Sequence, residues 1–120
     1  MQPIRGAQWS GIEQRQHKRI LLGIPIECRS GAATVAGRAE NLSRGGILVR
    51  AAKTFPWDEE VAVSLVLPGA AQALQARARV AHVVPDAFMG LEFLDLSAEA
   101  RDLIEKCISE APAAPEKPSS

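Results

Sequence analysis

The chain has 120 residues, of which 47% are apolar, and this is enough for one domain with a modest buried core. No apolar run approaches the roughly 20 residues that a transmembrane helix needs, and no apolar segment follows the first few residues as in a signal peptide. Cys28 and Cys107 are too few and too far apart to indicate a disulfide framework or a zinc site. We therefore expect a cytoplasmic protein with no membrane span and no metal cofactor.

The formal net charge is zero, but the charges are distributed unevenly along the chain. Residues 1–53 hold nine Lys and Arg against three Glu, and residues 54–120 hold the balancing acidic surplus. A basic half suits a small anionic ligand. The alternative is that the two halves neutralise each other on a solvated surface.

Six short segments have the residue alternation of β-strands and are separated by Gly, Pro and Ser turns. The predicted strands are Ile20–Arg29, Ala33–Glu40, Gly45–Ala51, Val61–Leu67, Ala73–Val84 and Phe88–Leu94. Pro25 indicates that the first strand is an edge strand or begins there. In the fifth strand, Ala78, Val80 and His82 are expected to share one face.

The segment Leu96–Glu110 changes to a helical period, with Ser97 as a predicted N-cap and Glu99 in the first turn. Its apolar stripe is expected to pack on a sheet or on a second subunit, and consists of Ala100, Leu103, Ile104, Cys107 and Ile108. Six strands and a helix predict a mainly β fold, an antiparallel barrel with a C-terminal helix. A flexible arm (1–14) and a disordered Pro/Ala/Ser-rich tail (111–120) are expected to flank it.

Two polar segments stand out from this pattern. The basic run Arg15-Gln16-His17-Lys18-Arg19 precedes the first strand, and Asn41-Leu42-Ser43-Arg44-Gly45-Gly46 links the second strand to the third. A turn explains Asn and Gly, since both tolerate positive φ, but it does not explain Asn, Ser and two glycines together. Two arginines at this spacing can hold phosphates or the O6/N7 edge of guanine.

At these residues the sequence resembles the PilZ family, bacterial domains that bind the second messenger cyclic di-GMP. Arg15 and Arg19 match the Arg-x-x-x-Arg segment of that family, and Asn41, Ser43 and Gly46 match its Asp/Asn-x-Ser-x-x-Gly motif. The resemblance covers roughly Arg15 to Ile108, within a predicted domain of residues 15–110, and implies a six-stranded antiparallel barrel of the split-barrel type. The loop at residues 55–59 departs from the family, which commonly has Gly there.

The resemblance also implies a role for each motif residue. Arg15 and Arg19 would contact guanine edges and phosphates, and Asn41 would contact the polar edge of a guanine. Ser43 would donate to a guanine or phosphate oxygen, and Gly46 would leave space for the base.

Arg44 is not a motif position, but it is placed to add a contact to phosphate. The closing segment Gly90-Leu91-Glu92-Phe93 is similar to the last strand of the family.

The implied function is that of a cyclic di-GMP receptor in motility or biofilm regulation. Ligand would order the Arg15–Arg19 segment, which would then signal to a protein partner, with the receptor a monomer or weak homodimer. One alternative is a PilZ-like interaction adaptor that binds no nucleotide. A small nucleic-acid-binding barrel is less favoured, because the sequence has no long basic face and few aromatics for stacking.

Catalysis is not expected. His17 lies in a basic run and His82 in a predicted strand, and histidines in such settings are usually solvated or structural. The sequence contains no nucleophile motif and no phosphate-binding loop.

Overall fold

In the computed structural model, which describes residues 19–110, six antiparallel strands close into a barrel and a C-terminal helix follows. The elements are β1 (Ile20–Ser30), β2 (Ala33–Leu42), β3 (Gly46–Arg50), β4 (Glu60–Leu65), β5 (Leu74–Val84), β6 (Phe88–Asp95) and α1 (Ala98–Glu110). The barrel order is β1-β2-β3-β6-β5-β4, and β4 pairs back onto β1. The predicted fold class is confirmed. The predicted arm and tail, and Arg15, lie outside the described residues.

Residue alternation fills the barrel interior. Val61, Val63 and Leu65 of β4 are buried, as are Ile47 and Val49 of β3, while the residues between them are more exposed. Burying each of these side chains stabilises the fold by about 1.5–3 kcal/mol. The faces that the alternation predicts in β3 and β4 are therefore confirmed.

The helix packs on the barrel through its apolar stripe. The Ser97 side chain caps its N-terminus, because Oγ accepts a hydrogen bond of 3.0 Å from the Ala100 backbone N–H. Ala100, Ile104 and Ile108 are buried in the same apolar core as the strands, and α1 contacts β5. No helix among residues 19–110 is long and apolar enough to cross a membrane.

Strand β1 bends at a bulge. Its register with β2 shifts between Leu21 and Ile24, and Gly23 has a positive φ of 70° there. Pro25 follows inside the strand, so the prediction that the strand could begin at Pro25 is wrong. The ladder to β4 begins only at Glu27, so Pro25 is at a local edge on that side.

A second irregularity, in β5, makes the prediction for His82 wrong. The register with β6 shifts between Val80 and His82. Ala78 and Val80 face the core, but the shift turns His82 outward, where it is exposed. Alternation alone cannot reveal the extra residue of a bulge.

Candidate functional site

The β1–β2 hairpin brings the two sequence motifs together. Antiparallel pairing sets Leu21 opposite Asn41, so the residue before β1 reaches the end of β2. Arg19 Nη1 donates a partly buried hydrogen bond of 2.7 Å to Asn41 Oδ1, across 22 residues of sequence. This contact joins the Arg-x-x-x-Arg segment to the Asn-x-Ser-x-x-Gly turn at one place on the barrel.

Ser43 lies inside the turn that follows Asn41. Its exposure is 3%, and it is the one buried polar or charged residue among residues 19–110. Its Oγ accepts a hydrogen bond of 3.2 Å from the Gly45 backbone N–H, and its own backbone N–H donates to the Gly46 carbonyl at 2.9 Å. The hydroxyl expected to contact a ligand is therefore engaged within the turn in this structure.

Gly46 is required by the neighbouring strand. A Cβ built on Gly46 would lie 2.1 Å from the Leu91 carbonyl oxygen of β6, far inside van der Waals contact. Neither Asn41 nor Gly46 has a positive φ, so the conformational explanation given by the sequence is wrong for this turn. The Gly45 carbonyl also accepts from the Phe93 N–H at 2.9 Å, which fixes the turn to β6.

Arg44, at the tip of the turn, is held by the C-terminal helix. Its Nε and Nη2 donate to the two carboxylate oxygens of Glu105, at 2.5 and 3.0 Å. The hydrogen bond from Arg44 lowers the pKa of Glu105, so this carboxylate stays charged at neutral pH. A phosphate contact by Arg44 would therefore have to use its remaining N–H groups or replace the contact with Glu105. No sequence pattern indicates this pair, whose members are 61 residues apart.

Two further arginines lie outward on the strands next to the turn. Arg38 of β2 is opposite Arg50 of β3 in the register. Arg50 donates to Glu40 at 2.9 Å, and its guanidinium lies 4.8 Å from the centre of the Phe88 ring. The sequence analysis did not include Arg38 among the candidate site residues. Its position in a predicted strand, three residues before the motif residue Asn41, could have indicated that it lies near the site.

A groove of about 550 Å³ lies on a different part of the surface, over the outer face of β1, β4 and β5. Glu27, Arg29, Arg77 and Asp95 are among the side chains that line it, and none of the motif residues that the structure describes does. The groove therefore does not belong to the site formed by the two motifs.

The remaining reactive side chains of the described residues have structural surroundings. Burial, and secondarily the charge of Glu27, raises the pKa of the Cys28 thiol to about 11, so Cys28 is a neutral core residue at pH 7. Burial also raises the pKa of Cys107. No group of three or more His, Cys, Asp or Glu side chains within residues 19–110 could hold a metal ion.

The barrel, its C-terminal helix and the joined motifs define a class of small β-barrel domain. The family model of the PilZ domain matches residues 13–110, and the chain belongs to the PilZ domain family. A search of curated proteins found no match.

Solved structures agree on the fold. The chain is similar to the Bacillus subtilis inhibitor of motility MotI/DgrA, at 21% identity and a TM-score of 0.68 over 80% of this chain and 50% of that protein. It thus spans half the length of that relative. It is also similar to the PilZ domain of Escherichia coli YcgR with c-di-GMP, at 16% identity and a TM-score of 0.64 over 82% of this chain and 91% of that domain. A third similar structure is PlzA of Borreliella burgdorferi in complex with c-di-GMP, at 14% identity and a TM-score of 0.61 over 90% of this chain and 50% of that protein.

Replacing Gly46 by Ala should destabilise the protein without ligand. Its Cβ would collide with the Leu91 carbonyl, which is held in the β3–β6 ladder, so we expect the free energy of unfolding to fall by at least about 2 kcal/mol. Gly90→Ala is the matched control, because its Cβ would lie 3.3 Å from the His82 Cβ, a contact that a shift of a few tenths of an ångström relieves. Urea unfolding followed by circular dichroism measures both variants. Equal stability of the two variants would contradict this role of Gly46.

Proposed function

We propose that this protein is a receptor for cyclic di-GMP, a ligand with two guanines and two phosphodiesters. The observation that supports this most directly is the hydrogen bond of 2.7 Å between Arg19 and Asn41, which joins the two family motifs at one site. Membership of the PilZ family and the fold shared with two structures that contain c-di-GMP add to it.

The chemistry of the Arg19–Asn41 pair suits a guanine nucleotide. A guanidinium has five N–H donors in a planar fork, and the contact with Asn41 uses one of them. The remaining donors can form a bidentate pair with guanine O6 and N7 or with a phosphate. The Asn41 amide offers its N–H₂ group to acceptors on the base. The pair thus orients a cationic planar group before ligand arrives.

The other motif residues take different parts in this proposal. Ser43 and Gly46 shape the turn that carries Asn41. In addition, Ser43 would contact ligand oxygens and Gly46 would lie against a base. Arg44 adds a phosphate contact, either with the N–H groups that Glu105 leaves free or by exchanging Glu105 for the ligand. Arg15 acts with Arg19 as the second arginine of the clamp.

We further propose that the protein acts as a receptor rather than an enzyme. Ligand contacts to Arg15 and Arg19 would order the segment that carries them, and the resulting surface would be recognised by a protein partner. A ligand can shift such an equilibrium only through contacts that differ between the two states, and the arginines would supply those contacts.

Cyclic di-GMP should bind the full chain, and GTP and cyclic GMP should bind much more weakly, because each offers a single guanine. Arg19→Ala should cost about 1.5–3 kcal/mol of binding free energy, the range for charge-assisted hydrogen bonds. Arg29→Ala, an outward substitution of the same charge in the separate groove, should leave affinity nearly unchanged. Calorimetry at high protein concentration measures the affinity of the wild type for the three nucleotides and of both variants for cyclic di-GMP.

Absence of both binding heat and a thermal shift with the wild-type chain would reject the receptor and favour an adaptor that binds no nucleotide. The stability of Arg19→Ala without ligand should fall only slightly, since one hydrogen bond contributes about 0.5–1.5 kcal/mol. A larger loss would show that Arg19 is chiefly structural.

Glu105→Gln tests the proposed contact of Arg44. Removing the carboxylate charge releases Arg44 from its ion pair, so affinity for cyclic di-GMP should rise by roughly twofold to fivefold if Arg44 meets a phosphate. Glu99→Gln, in the first turn of the same helix, controls for the change in charge. Equal affinities of the two variants would remove Arg44 from the ligand site.

Hydrogen exchange tests the proposed ordering. Saturating cyclic di-GMP should slow amide exchange near residues 14–20 and 41–46, and should change other regions little. Ordering costs about 1–2 kcal/mol per residue in backbone entropy, so the affected segment should be short. Identical exchange in residues 14–20 with and without ligand would reject the ordering even if binding is observed.

A further inference from the structure

Arg38 occupies the outer surface of β2, on the same strand as Asn41. Ala39 beside it is fully buried, so strand alternation directs Arg38 away from the core, and the residue is exposed. It lies three positions before Asn41, which corresponds to about 10 Å of strand. This distance is within the reach of an arginine side chain and a dinucleotide together.

The Arg38 side chain leans toward the motif site. Its backbone pairs with Pro25, but its Nη2 lies 3.5 Å from the point where a Cβ on Gly23 would be. Gly23 belongs to the β1 bulge, between the level of Pro25 and that of Leu21, which pairs with Asn41. The guanidinium is therefore displaced along the hairpin toward the Arg19–Asn41 contact.

The charge of Arg38 is not compensated by the residues that the structure describes. Arg44 and Arg50 are in ion pairs with Glu105 and Glu40, whereas Arg38 forms no ion pair with any residue between 19 and 110. Arg50, directly across the β2–β3 ladder, is already paired with Glu40, so that carboxylate is engaged by Arg50 rather than by Arg38. The Arg38 guanidinium can therefore bind an anionic group without breaking an ion pair with any of these residues.

We propose that Arg38 is a further arginine of the ligand site and that it contacts a phosphate of the cyclic dinucleotide. This inference rests on the proposed function, because it takes Arg19 and Asn41 as the residues that hold a guanine. In a cyclic dinucleotide each phosphate is one ribose away from a base, so a guanine held by Arg19 and Asn41 would bring a phosphate within reach of Arg38. Arg38 thereby sets affinity for the charged backbone of the ligand.

Arg38→Ala should weaken binding of cyclic di-GMP by roughly tenfold to 150-fold, the effect of losing one charge-assisted hydrogen bond. Arg38→Lys should keep most of the affinity, because a point charge also satisfies a phosphate. Arg29→Ala is the matched control, an exposed strand arginine that also has no ion pair with the described residues. Both alanine variants remove the same charge, so the general effect of net charge cancels between them.

Calorimetry with cyclic di-GMP on the full chain separates the outcomes. If the wild type does not bind, the proposed function fails and Arg38 has no ligand to contact. If the wild type binds and Arg38→Ala matches Arg29→Ala, the inference about Arg38 is overturned while the receptor remains. If Arg38→Lys loses as much affinity as Arg38→Ala, the contact with phosphate is rejected. Melting temperatures without ligand should be similar for all variants, and Arg38→Gln replaces any that does not fold.

Discussion

Pairing of β1 with β2 is the constraint on which the site depends. These strands pair from Ile20 opposite Leu42 to Ser30 opposite Ala33, interrupted by the bulge near Gly23. The pairing alone brings the residue before β1 to the end of β2, where Arg19 meets Asn41. A slip of one residue would exchange the core and solvent faces of β1, so burial of Ile20, Ile26 and Cys28 holds the register.

The turn after Asn41 is fixed by the strand on its other side. Ser43 closes the turn from within, and close approach of Gly46 to Leu91 leaves no space for a side chain. The backbone that carries Asn41 is thus positioned by core packing and strand pairing before ligand arrives. Such preorganisation reduces the entropy that binding must overcome. The motif residues Ser43 and Gly46 therefore have an architectural role in this chain, separate from any contact with ligand.

The sequence predicted strands and helix well because apolar alternation and helical periodicity report directly on local burial. Strand bounds differ by one or two residues, since ends depend on hydrogen bonding rather than on pattern. The bulges in β1 and β5 were missed, because an extra residue leaves no mark in composition, and His82 was misplaced as a result. The reason for Gly46 and the partner of Arg44 were also out of reach, since both depend on residues about 45 and 61 positions away.

The contacts show which basic residues in the first half of the sequence are paired with carboxylates and which are not. Arg44 and Arg50 are neutralised by carboxylates, so they contribute little net field. Arg29 has no such pair, but it shares its groove with Glu27 and Asp95. Arg19 instead contacts a neutral amide, and Arg38 contacts no carboxylate among the described residues. Uncompensated positive charge therefore gathers along the β1–β2 hairpin, where both arginines flank Asn41. A chain with no net charge can in this way hold an anion-binding face, because the sign of the local field depends on which charges are paired.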